Sequence, residues 1–196
     1  MAGWDFPTSL EIAGEPWEIR TDFRVILDIM EVLSDPDISN EERAYVALSI
    51  FYIDCDPFDL PKDAMQEAIE KMMWFIRGGQ EEEHDNSPRV MDWDQDFHLI
   101  APPVNRVLGY ECRSVPYDIA TNTGGLHWWT FLGAYMEIGE CYFQQIVAIR
   151  SKKSRGKKLD KTDQEFYRKH KKDIDLKREM TKEEEELVRR WMGRDG

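Results

Sequence analysis

The chain has 196 residues, 41% of them hydrophobic and 12% aromatic, which supplies a real core and excludes wholesale disorder. Its formal net charge of −13 is unevenly spread: residues 1–150 hold 10 Lys/Arg against 28 Asp/Glu, and residues 151–196 hold 16 against 11. An acidic body of this kind repels nucleic acid and anionic membranes, and the basic tail can do the opposite.

No apolar run approaches the roughly 18 residues of a membrane span. The opening MAGWDFPTSLEIAGE has no basic region followed by an apolar run, so no secretory signal is expected. Cys55, Cys112 and Cys141 are widely spaced with no CxxC, which suits free thiols in a reducing cytosol.

In chain order, Leu10 and Ile12, then Trp17 and Ile19, alternate with polar neighbours around Ala13-Gly14-Glu15-Pro16. This is the period of half-buried strands and predicts a small hairpin, Ser9–Ile12 with Trp17–Arg20, that must lie on helices to be stable. Thr21 or Asp22 is placed to cap a helix carrying Phe23, Ile26, Leu27, Met30 and Leu33, which ends before Ser34-Asp35-Pro36-Asp37. Ser39 with Glu42 has capping-box spacing and opens a second helix with Tyr45, Leu48, Phe51 and Tyr52 on its apolar face. Met65, Ala68, Ile69, Met72, Met73 and Ile76 mark a third, stopped by Gly78-Gly79.

Gln80–Pro88 is acidic and aperiodic, a loop. Asp94–Leu108 reads as helical, with Pro102-Pro103 expected to kink or end it. Gly109–Gly125, with Pro116 and Asn122-Thr123-Gly124-Gly125, predicts an irregular connection. Leu126–Arg150 is the most aromatic stretch and predicts two helices bending near Gly139. SKKSRGKK from Ser151 reads as a solvated linker. Leu159–Lys172 has a helical look, anchored by Phe166 and Tyr167, and Thr181 caps a last helix striped with Leu187, Val188, Trp191 and Met192.

The fold class is therefore mainly α: a helical bundle over 1–150 with a small N-terminal β-hairpin, followed by a basic linker and helical tail over 151–196. Trp128 and Trp129 point about 100° apart on a helix, so both are buried only if two neighbours flank it. Otherwise one ring waits in a groove for a partner, as large aromatics do at interfaces.

Asp92-x-Asp94-x-Asp96 fails as a calcium loop, because its sixth and twelfth positions are Phe97 and Pro103. His84, His98, His127 and His170 lack the close partners zinc needs, and His98 and His127 read as packing or hydrogen-bonding residues. No GxSxG, HExxH, Walker loop or GxGxxG is present, so no catalytic, cofactor or metal residue is assigned. A site assembled only in three dimensions is left open. From Arg150 to Lys172 there are 11 Lys/Arg and 3 Asp/Glu, with Phe166 and Tyr167 interleaved. That pattern offers an alternative function, nucleic-acid binding with stacked bases, or a tail that folds back electrostatically on the acidic body.

Several blocks together resemble the tail assembly chaperone family of long-tailed (siphovirus-type) phages of Gram-positive bacteria, encoded next to the tape measure gene. They are the hairpin with Thr21-Asp22-Phe23-Arg24, and Ala68-Ile69-Glu70-Lys71-Met72-Met73-Trp74-Phe75 ending in Gly78-Gly79. Asp92-Trp93-Asp94-Gln95-Asp96, Leu126-His127-Trp128-Trp129-Thr130-Phe131, Ile149-Arg150 and Phe166-Tyr167-Arg168-Lys169 follow. The resemblance implies a non-enzymatic assembly factor of the host cytoplasm, absent from the mature virion. It would bind and solubilise the tape measure protein while the tail tube forms, with the tail tube protein and self-association as further partners. An apolar helical groove can hold amphipathic helices, and Met65, Met72 and Met73 would give an adaptable surface. Within Leu126–Arg150, Trp129, Leu132, Tyr135 and Met136 are assigned to the partner face, with Trp128 and Phe131 turned inward.

Overall fold

The structure is a computed structural model and describes residues 5–54, 56–57, 60–81 and 88–176. The predicted helix after Thr181, Cys55 and His84 lie outside the described residues. Within them the fold is mainly α, seven helices with a small N-terminal hairpin.

Strands β1 (Ser9–Ile12) and β2 (Glu15–Glu18) pair antiparallel, Leu10 opposite Trp17 and Ile12 opposite Glu15. The turn is only Ala13-Gly14, both at positive φ (53° and 84°), the two-residue geometry that matches strand twist. The second strand therefore starts earlier than the alternation suggested and accommodates Pro16, which an edge strand tolerates. Leu10, Ile12 and Ile19 are buried beneath the hairpin, and Ile19 bridges to Tyr52.

Helix α1 (Phe23–Ser34) is capped by the Asp22 carboxylate, which accepts from Arg24 N–H, and buries Phe23, Val25, Ile26 and Ile29. Helix α2 (Asn40–Phe51) carries the predicted capping box of Ser39 and Glu42. Helix α3 (Lys62–Ile76) buries Ala68, Met72, Phe75 and Ile76. Met72 is fully buried and Met65 and Met73 are half-buried, so these methionines fill the core instead of forming an adaptable surface. The period that made the helix easy to read is the period of its inward face.

Helix α4 (Trp93–Leu108) runs through Pro102 and Pro103. Proline φ is compatible with a helix, and Pro102 lies on the exposed side, where water can take the carbonyl freed by its missing N–H. The expected irregular connection contains a 3₁₀ turn at Cys112–Ser114 and a second small hairpin, β3 (Tyr117–Asp118) with β4 (Thr123–Gly124). Helices α5 (Trp128–Met136) and α6 (Tyr142–Ser154) follow, separated at Gly139, which has φ 60°. Helix α6 extends past Arg150 into the segment read as linker, and α7 (Lys161–Ile174) folds back on it.

The core is aromatic. Phe23 stacks on Phe131 with centroids 4.6 Å apart, and Phe131 also contacts Phe97 and Trp128. A smaller cluster of Ile146, Ile149 and Ile174, with Leu99, Leu159, Phe166 and Tyr167 against it, holds α7.

That attachment has a polar pin at its centre. Arg150 is 5% exposed and forms a bidentate pair with buried Asp96, at 2.5 and 2.8 Å. Its remaining N–H groups donate to the carbonyls of Ile174 (2.7 Å), Asp173 (2.6 Å) and Val90 (3.1 Å). A buried guanidinium is tolerable only when its charge is paired and its donors are used, and here both conditions hold. The last aspartate of the failed calcium motif is thus the anchor of the tail, a role its linear spacing did not reveal.

Candidate partner-binding groove

Helix α5 is short and apolar, and its N-terminus is fixed from three sides. Phe23 N–H donates to Leu126 O (3.0 Å) and Trp128 N–H to Thr21 O (2.7 Å), joining the chain before α5 to the chain before α1. The Asp22 carboxylate is buried there, accepting from Leu126 N–H (2.8 Å) and from the Arg24 guanidinium. Gly125 lies against it at φ 85°, and a Cβ at that position would sit 2.5 Å from Asp22 Oδ2. Arg24 reaches on to Val115 O at 3.0 Å.

His127 caps α5. Its Nδ1 accepts from Trp129 N–H (3.1 Å), which leaves Nε2 to donate to Pro7 O (3.3 Å). The ring stacks on Phe6 at 4.5 Å and meets Phe75 edge-on. Burial pushes its pKa below the ordinary histidine value, only partly opposed by the Pro7 hydrogen bond. The neutral imidazole is the form this geometry uses, since a protonated Nδ1 could not accept.

The tryptophan pair resolves into two roles. Trp128 is fully buried and donates its indole N–H to Ile76 O at 2.8 Å; Trp129 is half-buried and donates to Phe75 O at 2.8 Å. Both carbonyls belong to the last turn of α3, where the regular i+4 donors run out, and Phe75 O also accepts from Gly78 N–H (3.0 Å). Gly78 and Gly79, at φ 70° and 83°, let α5 approach: a Cβ at Gly78 would meet Leu132 Cδ2 at 2.9 Å, and one at Gly79 would meet Trp129 at 3.0 Å. Trp93, from the Asp92–Asp96 block, packs on Trp128 and on Tyr135. The sequence blocks that looked scattered therefore meet around α5.

On the outer side of this junction are two adjoining hollows, of about 370 and 240 Å³. Met30, Trp93 and Trp128 wall the first, Phe6, Gly78 and Trp129 the second, and Gln80, Leu132 and Met136 are common to both. Met136 is 59% exposed. Of the four residues assigned to a partner face, Trp129, Leu132 and Met136 come together here. Tyr135 does not line either hollow; it is packed on Trp93 and Phe143, with its hydroxyl 3.0 Å from Met91 Sδ. Six residues along a helix is a turn of about 240°, which carries Tyr135 toward the face of Trp128 and Phe131. Those two rings are fully buried, as assigned. Phe6 and Met30 are wall residues that sequence reasoning missed, because neither lies near α5 in the chain.

Chemically the hollows offer thioether, indole and aliphatic surface for apolar side chains of a partner, with the polar side chains of Arg77, Gln80 and Glu81 also in their lining. Among the described residues no cluster of His, Cys, Asp or Glu could hold a metal ion. None of the described helices is long and apolar enough to cross a membrane.

No curated protein and no solved structure matches the chain. The sequence profile described as bacteriophage Gp15 protein matches residues 5–102 and 114–176, a span that includes every block around α5 and the Arg150 pin. The chain belongs to the bacteriophage Gp15 family.

Proposed function

We propose that this phage protein is a tail assembly chaperone that binds the tape measure protein through the paired hollows beside α5 and keeps it soluble while the tail tube forms. Membership of a phage family supports a structural or assembly role, and the blocks around α5 are those that resemble the tail assembly chaperones. The observation that carries the reading is exposed Met136 beside half-buried Leu132, both of which line two adjoining hollows. An amphipathic helix presents anchors at i, i+3, i+4 and i+7, and two neighbouring hollows offer more than one place for such anchors. The chaperone acts by binding alone, in the host cytoplasm, and leaves before the virion is complete.

Co-expression with the protein of the adjacent long reading frame tests this. The tape measure protein should become soluble and co-elute with the wild-type chain. Equal insolubility with and without the chain would refute the proposal.

A further inference from the structure

The described chain ends at half-buried Leu176, close to the first hollow. Asp175 O accepts from the Gln95 side-chain amide at 3.2 Å, and Arg150 donates to the carbonyls of Ile174, Asp173 and Val90. Trp93, a wall of that hollow, stands in the same first turn of α4 as Gln95. Two residues along a helix is a turn of about 200°, so the exit and the hollow are separated by roughly one helix width, ~10–12 Å.

Twenty residues follow Leu176, and they carry one apolar stripe: Leu187, Val188, Trp191 and Met192, at i, i+1, i+4 and i+5. From Leu176 to Leu187 the chain reaches up to ~36 Å if extended, or ~25 Å with 181–187 helical, so it spans the gap either way. The stripe gains by leaving water. The tail's own cluster of Ile146, Ile149 and Ile174 is already covered by Leu159, Phe166 and Tyr167, whereas the hollows are open and offer matching indole and thioether surface. The rim of the first hollow also has a charge of each sign, Arg77 and Glu81, and neither makes an ion pair among the described residues. The segment brings the complements, Glu184 in line with the stripe one turn earlier and Arg190 on its flank. The family profile ends at residue 176, so none of this follows from membership of the family.

We infer that segment 181–192 docks in the hollows of its own chain through Leu187, Val188, Trp191 and Met192, holding the partner's place until the partner displaces it. The docking rests on the exit point, the reach and the stripe; the displacement rests on the tape measure reading. Tethering supplies an effective concentration of ~1 mM, so a segment that binds at ~100 µM fills the hollows about ten to one. A competing partner then has its affinity lowered by about the same factor.

The test uses the full-length chain on its own, with a benzophenone residue in place of Trp191 or, for comparison, of Arg189, which points to the opposite side of the stripe. An equal mixture of isotopically light and heavy chains separates links within one chain from links between copies. Links from 191 to Leu132 or Met136 should form within one chain, at least about fivefold more often than from 189. Leu187→Glu/Met192→Glu should cut them at least about tenfold while the body keeps a cooperative melt, and Leu187→Met/Met192→Leu should preserve them. With the tape measure protein co-expressed, the intrachain links should fall as the complex forms. The glutamate variant should capture that protein at least as well as wild type, up to about tenfold better. Links that join light to heavy chains would place the segment on a second copy and overturn the inference. So would links equally frequent from 189, links that survive the glutamates, or tape measure capture that falls in the glutamate variant. Capture absent from wild type and variant alike, with the intrachain links intact, would sink the tape measure reading and leave the docking standing.

Discussion

Replacing Arg150 with Met is the most demanding test of how the tail is attached. Asp96 is fully buried and Arg150 nearly so, and the pair is bidentate. Removing the guanidinium strands a carboxylate in the core and takes donors from the carbonyls of Val90, Asp173 and Ile174. Breaking a buried pair from one side costs about 3–5 kcal/mol, a large share of the roughly 5–15 kcal/mol of a whole domain. At roughly 2–4 °C per kcal/mol for a chain of this size, melting should drop by about 6–20 °C. Because Arg150 joins α4, α6 and the end of α7, amide exchange should accelerate most in 161–174. Adding Asp96→Leu removes the stranded charge and should recover a substantial part of the loss. A single variant within about 1 kcal/mol of wild type by urea unfolding, or a double variant worse than the sum of the singles, would refute the reasoning.

Four further outcomes follow from the junction around α5. Gly125→Ala places a Cβ 2.5 Å from buried Asp22 Oδ2 at a positive φ and should destabilise by about 2 kcal/mol or more in urea unfolding. Trp129→Phe keeps an aromatic ring but removes the indole N–H donated to Phe75 O, which still accepts from Gly78 N–H, so unfolding free energy should fall by about 0.5–1.5 kcal/mol. His127 has a lowered folded pKa, so the unfolded chain binds its proton first on acidification. The stability His127 contributes is complete above about pH 6.5 and falls as pH drops from there through the lowered folded value; His127→Asn, which keeps a capping side chain, should flatten that part of the pH–stability curve. Met136→Lys touches an exposed residue, so melting should stay within about 0.5 kcal/mol of wild type, while tape measure capture falls at least about tenfold.

The helices were legible because each buries one face at its own period: α3 and the capping box of α2 stand where the residues placed them. The hairpin register shifted because Ala13 adopts positive φ, which a non-glycine residue does not advertise. The proline pair was expected to kink or end α4, yet the helix runs through it, since the lost hydrogen bonds fall partly on its solvent side. Trp129, Leu132 and Met136, read from α5 alone, do line the hollows. Phe6 and Met30 arrive through tertiary packing, and Tyr135 was misassigned by reading a broad apolar helix as a single face. Asp96 with Arg150 was hidden for the same reason, as ion pairing across 54 positions leaves no local pattern.

The central claim is that the tape measure protein is held in the hollows flanking Leu132 and Met136. A photo-crosslinking residue placed at 136 in the co-expressed complex tests it at that spot, with position 15 at the start of β2 as the comparison. Capture of the tape measure protein from 136 and little from 15 is the predicted result. A complex that forms but crosslinks equally from both, or from 15 alone, would contradict the account.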